Sequence, residues 1–433
     1  MKRLHSLLVA LSGIALVLCP SVLRAEEYTF DVSETEKKPY SLGGYVELRP
    51  TISWLDQDAA MYKLRFYDRS EGPTLPEYKA ALQLDGSIEK GWATLFVRLN
   101  TDYLDSYLGS EFTTTAFEAY LSLKPAPSLV ITAGKRTFKW GKGNAWNPVA
   151  FVDRPKNPDD PGLDLEGYVA ASVDYIRSFS GPLKTLSITP VLVPVSDHVN
   201  EDFGEANHVN IAGKIYLLLY DTDIDILFLS GGSRSSRYGL DFSRNITTNV
   251  EVHGEYAHLN DVRKSVIGTD GSTHQTVSDA TSWLLGLRYL SEKDTSYLLE
   301  YYRDGTGYTE QELANYYAFV NNAYDYYLSS ESDALLRKAA GAAAYGRPNA
   351  GRSYVYLRVS QKEPFDILYW TPAVTAIVNA EDRSCYLSPE ITYTGITNVE
   401  LRLKGTVLAG NRLSEFGEKQ NDFRVELIAR YYF

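Results

Sequence analysis

Apolar and polar residues alternate along the last segment of the chain, RVELIARYYF. Every second position is apolar or aromatic, and the intervening positions are mostly charged: Phe423, Val425, Leu427, Ala429, Tyr431 and Phe433 form the apolar set. A repeat of two residues is typical of a β-strand whose faces meet different environments. The apolar face would pack on a second sheet in a soluble sandwich, or face lipid in a membrane barrel with a hydrated lumen. The rest of the chain has to decide between these architectures.

The same alternation recurs throughout the chain, for example in ATLFVRLNT, TNVEVHGEYAH, HVNIAGKIYLLLY, SYVYLRVSQ and NVELRLKGTVLAG. Counting such segments predicts about 18 strands, with about 16 as the alternative. Residues 45–66 are ambiguous, because they fit either two strands or one strand followed by a helix around AAMYKLRFYD. An even strand number places both termini on one side of a barrel, which favours the single strand.

The connections between these segments alternate between short and long. The short ones are GITN, KEPFD, SEKD, RNIT, DTD, SGP, KPAPS and IEKG. The long ones include residues 140–167, SDHVNEDFGEAN, NDVRKSVIGTDGSTHQ, residues 305–351 and AGNRLSEFGEKQ. Outer-membrane barrels have tight periplasmic turns at one end and long extracellular loops at the other. The sequence therefore predicts an all-β fold, a transmembrane antiparallel β-barrel with long extracellular loops that contain some helix.

The N-terminus has the features of an export signal. Lys2 and Arg3 precede an apolar run over residues 7–19, and cleavage is predicted after Ala25. This gives a signal peptide at 1–25, an N-terminal periplasmic segment at 26–40 and the barrel at 41–433. No later stretch approaches the roughly 20 apolar residues of a transmembrane helix. Cys385 is the single cysteine after cleavage, so no internal disulfide is expected.

The charge of the chain excludes one class of partner. The formal net charge is −12, and cleavage removes three basic residues, Lys2, Arg3 and Arg24, which lowers it to −15. This argues against binding to nucleic acid and predicts a mild preference for cations. The hydrophobic content of 44% fits a barrel, in which lipid-facing and lumen-facing residues average out, and the 33 tyrosines suit membrane interfaces.

The signal peptide, alternating strands, turn-and-loop parity and terminal Phe433 together resemble Gram-negative outer-membrane porins, with no subfamily identified. The resemblance implies multi-pass insertion in the outer membrane, with lipid and lipopolysaccharide as surroundings. It also implies that Tyr431 and Phe433 form an assembly signal read by the barrel assembly machinery. A shorter stretch, GKRTFKWGKGNAWNP, is similar to strand ends in porin-like proteins and names no substrate.

Charged residues of both signs occupy the predicted inner face. Facing acidic and basic rows would orient hydrated solutes and set ion preference, although such pairs also brace a barrel wall. The predicted pore-lining residues are Arg98, Arg288, Glu300, Arg358, Glu400, Arg402, Lys404, Arg424 and Glu426.

The long stretch from Trp140 to Gly167 is a candidate for a loop that folds inward and narrows the pore; the alternative is a rigid extracellular cap. Four prolines stiffen it. Its candidate residues are Trp140, Trp146, Asp153, Arg154, Asp159 and Asp160. The acidic cluster of this loop could bind a calcium ion; it consists of Asp153, Asp159, Asp160, Asp164 and Glu166. It lacks the spacing of a dedicated calcium loop, which favours a solvated acidic loop, so neither a metal nor another cofactor is predicted.

Residues 309–345 predict a helical lid, because Thr309 and Glu312 form a capping box before a helix-prone segment. His253 lies between Glu251 and Glu255, but no G-x-S-x-G stretch marks a nucleophile, so no catalytic residues are predicted. The predicted function is passive diffusion of small hydrophilic solutes or ions. The alternatives are a substrate-specific transporter of hydrophobic compounds or saccharides, and a barrel enzyme. The sequence does not distinguish a monomer from a homo-oligomer.

Overall fold

A computed structural model describes residues 38–69 and 71–433 of the chain. The predicted signal peptide, 1–25, and nearly all of the predicted periplasmic segment, 26–40, lie outside the described residues. The first strand begins at Tyr40, within one residue of the predicted start of the barrel.

Within the described residues, eighteen antiparallel strands form one sheet in which each strand pairs with its neighbours in sequence and β1 also pairs with β18. This confirms the predicted closed barrel and the count of 18 rather than 16. The strands are β1 Tyr40–Leu55, β2 Thr74–Lys90, β3 Ala93–Ser106, β4 Gly109–Ala126, β5 Leu129–Arg136, β6 Tyr168–Ser178, β7 Leu183–Val195, β8 His208–Leu219, β9 Thr222–Leu229, β10 Arg237–Thr247, β11 Val250–Ile267, β12 Thr273–Leu290, β13 Thr295–Arg303, β14 Ser353–Gln361, β15 Trp370–Asn379, β16 Cys385–Ile396, β17 Val399–Ala409 and β18 Asn421–Tyr432.

The barrel closes through the last residues of the chain. Tyr45 pairs with Tyr432, and the backbone N–H groups of Gly44 and Phe433 each donate to the carbonyl of the other, at 3.2 and 3.1 Å. An open edge in lipid would leave unsatisfied backbone groups at several kcal/mol each, so this pairing is obligatory for a membrane barrel. The ambiguous stretch 45–66 contributes one strand, β1, followed by a helix, α1 (Ala60–Phe66), which agrees with the strand parity.

The two faces of the sheet differ as the alternation predicts. Leu403 and Leu427 are register partners on the outer face, where they are 50% and 47% exposed. The next inward pair, Lys404 and Glu426, is 4% and 6% exposed. Aliphatic residues therefore cover the outside of the wall, whereas charged residues are enclosed by it, the arrangement of a barrel surrounded by lipid.

The prediction that NDVRKSVIGTDGSTHQ forms a long loop is wrong. β11 and β12 continue through it and meet at a turn over residues 268–272. Residues 273–279 of β12 are exposed on both faces. This part of β12 has no apolar face, and Ile267 at the end of β11 is 3% exposed because it packs with Tyr308 and Leu313. The stretch therefore lacks the alternation by which strands are recognised. β3 and β4 are likewise joined by only two residues, at the end where long loops were predicted.

The predicted helical lid is confirmed. Thr309 and Glu312 form both hydrogen bonds of a capping box at the start of α2 (Glu310–Ser330), which precedes α3 (Ala334–Ala340). Buried Tyr316 of α2 stacks on Tyr345 at a ring-centroid distance of 4.1 Å. Short 3₁₀ turns occupy Ala343–Gly346 and Pro364–Asp366. Among the described helices, none has the length and apolar character needed to cross a membrane.

Candidate functional site

The loop between β5 and β6, residues 137–167, lies inside the barrel. It begins and ends side by side, because Arg136 and Tyr168 are register partners. Its apolar side chains, including Val149 and Phe151, are buried against inward residues of the wall such as Leu227. Burial of these side chains stabilises the inward position, since each would otherwise be exposed to water.

A carboxylate on the wall holds the first part of this loop. One oxygen of Glu255 accepts hydrogen bonds from the backbone N–H groups of Lys142 and Gly143, at 2.6 and 2.5 Å, and the other accepts from Val149 at 3.2 Å. Gly141 has a φ of 94°, and a Cβ there would lie 2.8 Å from Glu255 Oε1. The glycines of the stretch WGKGNAW therefore allow the backbone to approach the carboxylate closely.

A second carboxylate holds the next residues. Glu300 is fully buried and accepts from the backbone N–H groups of Asn144 and Ala145, at 2.5 and 2.9 Å. His253 Nε2 lies 2.9 Å from the same Glu300. Trp146 then packs on Tyr302 with a ring-centroid distance of 5.0 Å. Because the loop covers it, Glu300 faces the interior of the barrel without being exposed to water.

The opposite wall binds the second half of the loop through ion pairs. Asp159 contacts Lys404 Nζ at 2.5 Å and Arg424 Nη2 at 2.8 Å, and it accepts a hydrogen bond from the Tyr386 hydroxyl. Burial alone would raise the pKa of Asp159, but the cations Lys404 and Arg424 outweigh it and hold the pKa below its ordinary value. The loop therefore spans the lumen from β11 and β13 to β16, β17 and β18.

Further contacts fix the remaining candidate loop residues. Asp153 accepts from the backbone N–H groups of Phe138 and Trp140, at 2.6 and 2.9 Å, which shapes the start of the loop. Arg154 pairs with Glu166 at 3.2 Å and with Asp202. Trp140 is 2% exposed in the apolar cluster.

The end of the loop returns to the first strands of the barrel. Asp160 lies 3.7 Å from Arg402 on β17. Asp164 contacts Arg98 on β3 at 2.9 Å and accepts from Gln83 on β2 at 3.2 Å. Asp159, Asp160 and Asp164 are thus paired with wall cations. Among the described residues, no group of three or more His, Cys, Asp or Glu side chains could hold a metal ion.

The nine predicted pore-lining residues fall into two groups. Arg98, Glu300, Arg402, Lys404 and Arg424 contact the loop. The other four pair with charged residues of the wall: Arg288 with Glu251 at 3.6 Å, Arg358 with Glu390 at 2.5 Å, Glu400 with Arg402 at 2.9 Å and Glu426 with Arg424 at 2.9 Å.

Two features of the site were missing from the sequence prediction. Glu255 was not among the predicted site residues, although its place in the alternating segment TNVEVHGEYAH gives it an inward position. Lys142 of the loop reaches Asp225 at 2.9 Å and Asp241 at 3.7 Å, both of which are buried in the wall.

At the other end of the barrel, Tyr431 and Phe433 of the predicted assembly signal are 38% and 48% exposed.

Comparisons with known proteins bear on the fold. No family model matches the sequence, and no curated protein matches it as a relative. The crystal structure of Pseudomonas aeruginosa OccK5 (OpdH) aligns with a TM-score of 0.51 and 12% identity, covering 90% of this chain and 98% of that one. OccK11 (OpdR) of the same organism aligns with a TM-score of 0.51 and 11% identity, covering 90% and 96%. At this identity the similarity concerns the fold alone, and it places the chain among porin-like β-barrels by architecture.

Proposed function

We propose that this chain is an outer-membrane channel for passive diffusion of small hydrophilic solutes or ions, and that it is exported through a cleaved signal peptide. One observation carries the proposal: residues 137–167 cross a charged barrel interior and are held on both walls. A loop in this position leaves a route between its surface and the wall, and the width and charge of that route select solutes. Lipid and lipopolysaccharide surround the barrel in this proposal.

The net charge of −15 after cleavage supports a mild preference for cations. A protein of net negative charge raises the local concentration of cations near its surface, and salt screens this effect. The proposal includes no catalytic role. His253 lies 2.9 Å from Glu300, which holds the loop backbone, and 3.6 Å from Glu251, which pairs with Arg288.

A substrate-specific transporter is the second candidate. It is favoured by a cavity of about 250 Å³ between the loop and the wall, where Trp146 and Tyr302 provide an aromatic surface. A channel that selects only by size has no need of such a surface, whereas a binding site for a particular solute does.

The purified protein should form ion-conducting pores in planar bilayers, and its reversal potential in a salt gradient should show the sign of a mild cation preference. Liposome swelling across sugars, amino acids and organic acids would then rank the solutes. Swelling that falls smoothly with solute size supports diffusion, whereas saturable uptake of one class supports the transporter. Absence of conductance from protein with β-type circular dichroism in detergent would contradict the channel.

We propose further that Tyr431 and Phe433 are read by the barrel assembly machinery. Deletion of Phe433 should lower the amount of assembled barrel in cells but leave refolding in detergent largely intact, because its loss removes only one pair of backbone hydrogen bonds, with Gly44. The measurement is heat-modifiable migration on gels for both preparations. Phe433→Tyr, which keeps a terminal ring, is the control. Equal losses in cells and in detergent would show that the residue acts on stability instead.

A further inference from the structure

A large cavity lies among the loops at the end of the barrel that carries the helical lid, and its lining includes Arg234, Leu259 and Tyr308. Its volume is about 900 Å³, and it adjoins the smaller cavity beside Trp146. Arg234 and Arg237 line both cavities, and Lys156 lines the smaller one. All three cations therefore line the smaller cavity, and two of them also line the larger one.

None of these three cations forms a salt bridge with a described residue. Arg234 donates to the backbone carbonyls of Asp202 and Phe203 and to the Tyr168 hydroxyl, all of them uncharged acceptors. Lys156 Nζ donates to the carbonyl of Gly143 at 2.6 Å. Neither side chain has a carboxylate within salt-bridge distance in the part of the chain that the structure describes.

Arg237 is the least satisfied of the three. It is the first residue of β10, its Nε is buried without a hydrogen-bond partner, and no ion pair to it is formed by any described residue. A guanidinium has five N–H donors in a planar fork that matches the two oxygens of a carboxylate or phosphate. Leaving such donors buried and unpaired is costly, so the site gains stability when an oxyanion accepts from them.

Acidic residues also line the space, but they are engaged or lie at its edge. Asp304 accepts from Thr306 and lies 3.5 Å from Arg347. Asp153 is used by loop backbone N–H groups, and Glu205 pairs with Arg263 at 3.3 Å. The remaining carboxylate, Asp261, is exposed. Burial lowers the pKa of the Lys156 amine, and the carboxylates of Glu255 and Glu300 offset this only in part. Burial also lowers the pKa of the Arg234 guanidinium.

We propose that Arg234, Arg237 and Lys156 form a binding site for a small oxyanion, a carboxylate or a phosphate, within the cavity above the β5–β6 loop. Trp146 and Tyr302 lie on the wall of the same space, where they would contact the remainder of an organic anion. The inference rests on the proposed channel function only for the route by which the anion enters.

Two probes test the site on the refolded barrel, inorganic phosphate and benzoate, the first without an organic skeleton and the second with a ring. Calorimetric titration in detergent measures binding without requiring conduction. Wild-type protein should bind at least one probe saturably. Arg237→Gln should weaken that binding about tenfold or more, because hydrogen bonds to a charged group contribute more than neutral ones. Tighter binding of benzoate would indicate a carboxylate with an organic skeleton, and tighter binding of phosphate the phosphate class.

Arg244→Gln is the matched control, because it makes the same charge change on an exposed residue of the same strand. Unchanged affinity in this variant supports the site. Equal weakening by both substitutions would mean that net charge rather than a site attracts the anion, and this would overturn the inference. Absence of saturable binding in wild-type protein would also overturn it, even if pores conduct. Binding without pores would contradict the channel but leave the oxyanion site standing.

Discussion

Replacing residues 139–165 with a short turn should raise single-channel conductance several-fold. The loop crosses the lumen from Glu255 and Glu300 to Lys404 and Arg424, so its removal opens the space that it occupies. A short turn suffices to reconnect the chain, because Arg136 and Tyr168 are register partners. The measurement is conductance in planar bilayers, with heat-modifiable migration to verify that the barrel has folded.

The control for this excision is a similar replacement of residues 363–368, which form the β14–β15 turn. Phe365 in that turn is 94% exposed and does not belong to the apolar clusters inside the barrel, so conductance should not change. The excised barrel should also unfold at lower denaturant concentration, because the apolar patch around Leu227 would then face water. Unchanged conductance after excision of 139–165 would show that another part of the barrel limits the flow.

Leu427→Arg should lower the free energy of unfolding by about 2–4 kcal/mol if residue 427 lies near the bilayer midplane. Leu427 is 47% exposed on the outer face and pairs in register with exposed Leu403. An arginine there would have to be buried in hydrocarbon or reach toward the headgroups. Urea unfolding of the protein in lipid vesicles measures the change.

Leu427→Ile keeps an apolar side chain of the same size at this position and should be nearly neutral. Glu426→Gln is a less suitable control, because Glu426 is 6% exposed and pairs with Arg424. If Leu427→Arg were as stable as wild type in vesicles, the assignment of the outer face would be wrong, and with it the list of inward residues.

Local sequence patterns were sufficient to identify most of the strands and the start of α2. Alternation of the kind seen in RVELIARYYF identified strands and their two faces, because a half-buried strand has a fixed period of two. The capping box at Thr309 and Glu312 identified the start of α2, because both of its hydrogen bonds are made within four residues. The hairpin extending from β11 and β12 was not predicted, because residues 273–279 of β12 are exposed on both faces and show no alternation.

The sequence by itself therefore determined that this chain forms a barrel of about 18 strands with an apolar exterior, since these properties depend on neighbouring residues. Only the tertiary structure decided which wall carboxylates meet the β5–β6 loop. Glu300 and Ala145 are 155 positions apart, and strand register and barrel closure bring them together. The tertiary structure also decided how charged side chains are distributed inside the barrel. The chain is strongly acidic, yet Arg234, Arg237 and Lys156 line one cavity and form no salt bridge with the described residues. Coulomb interactions depend on distances in the fold, which the net charge does not contain.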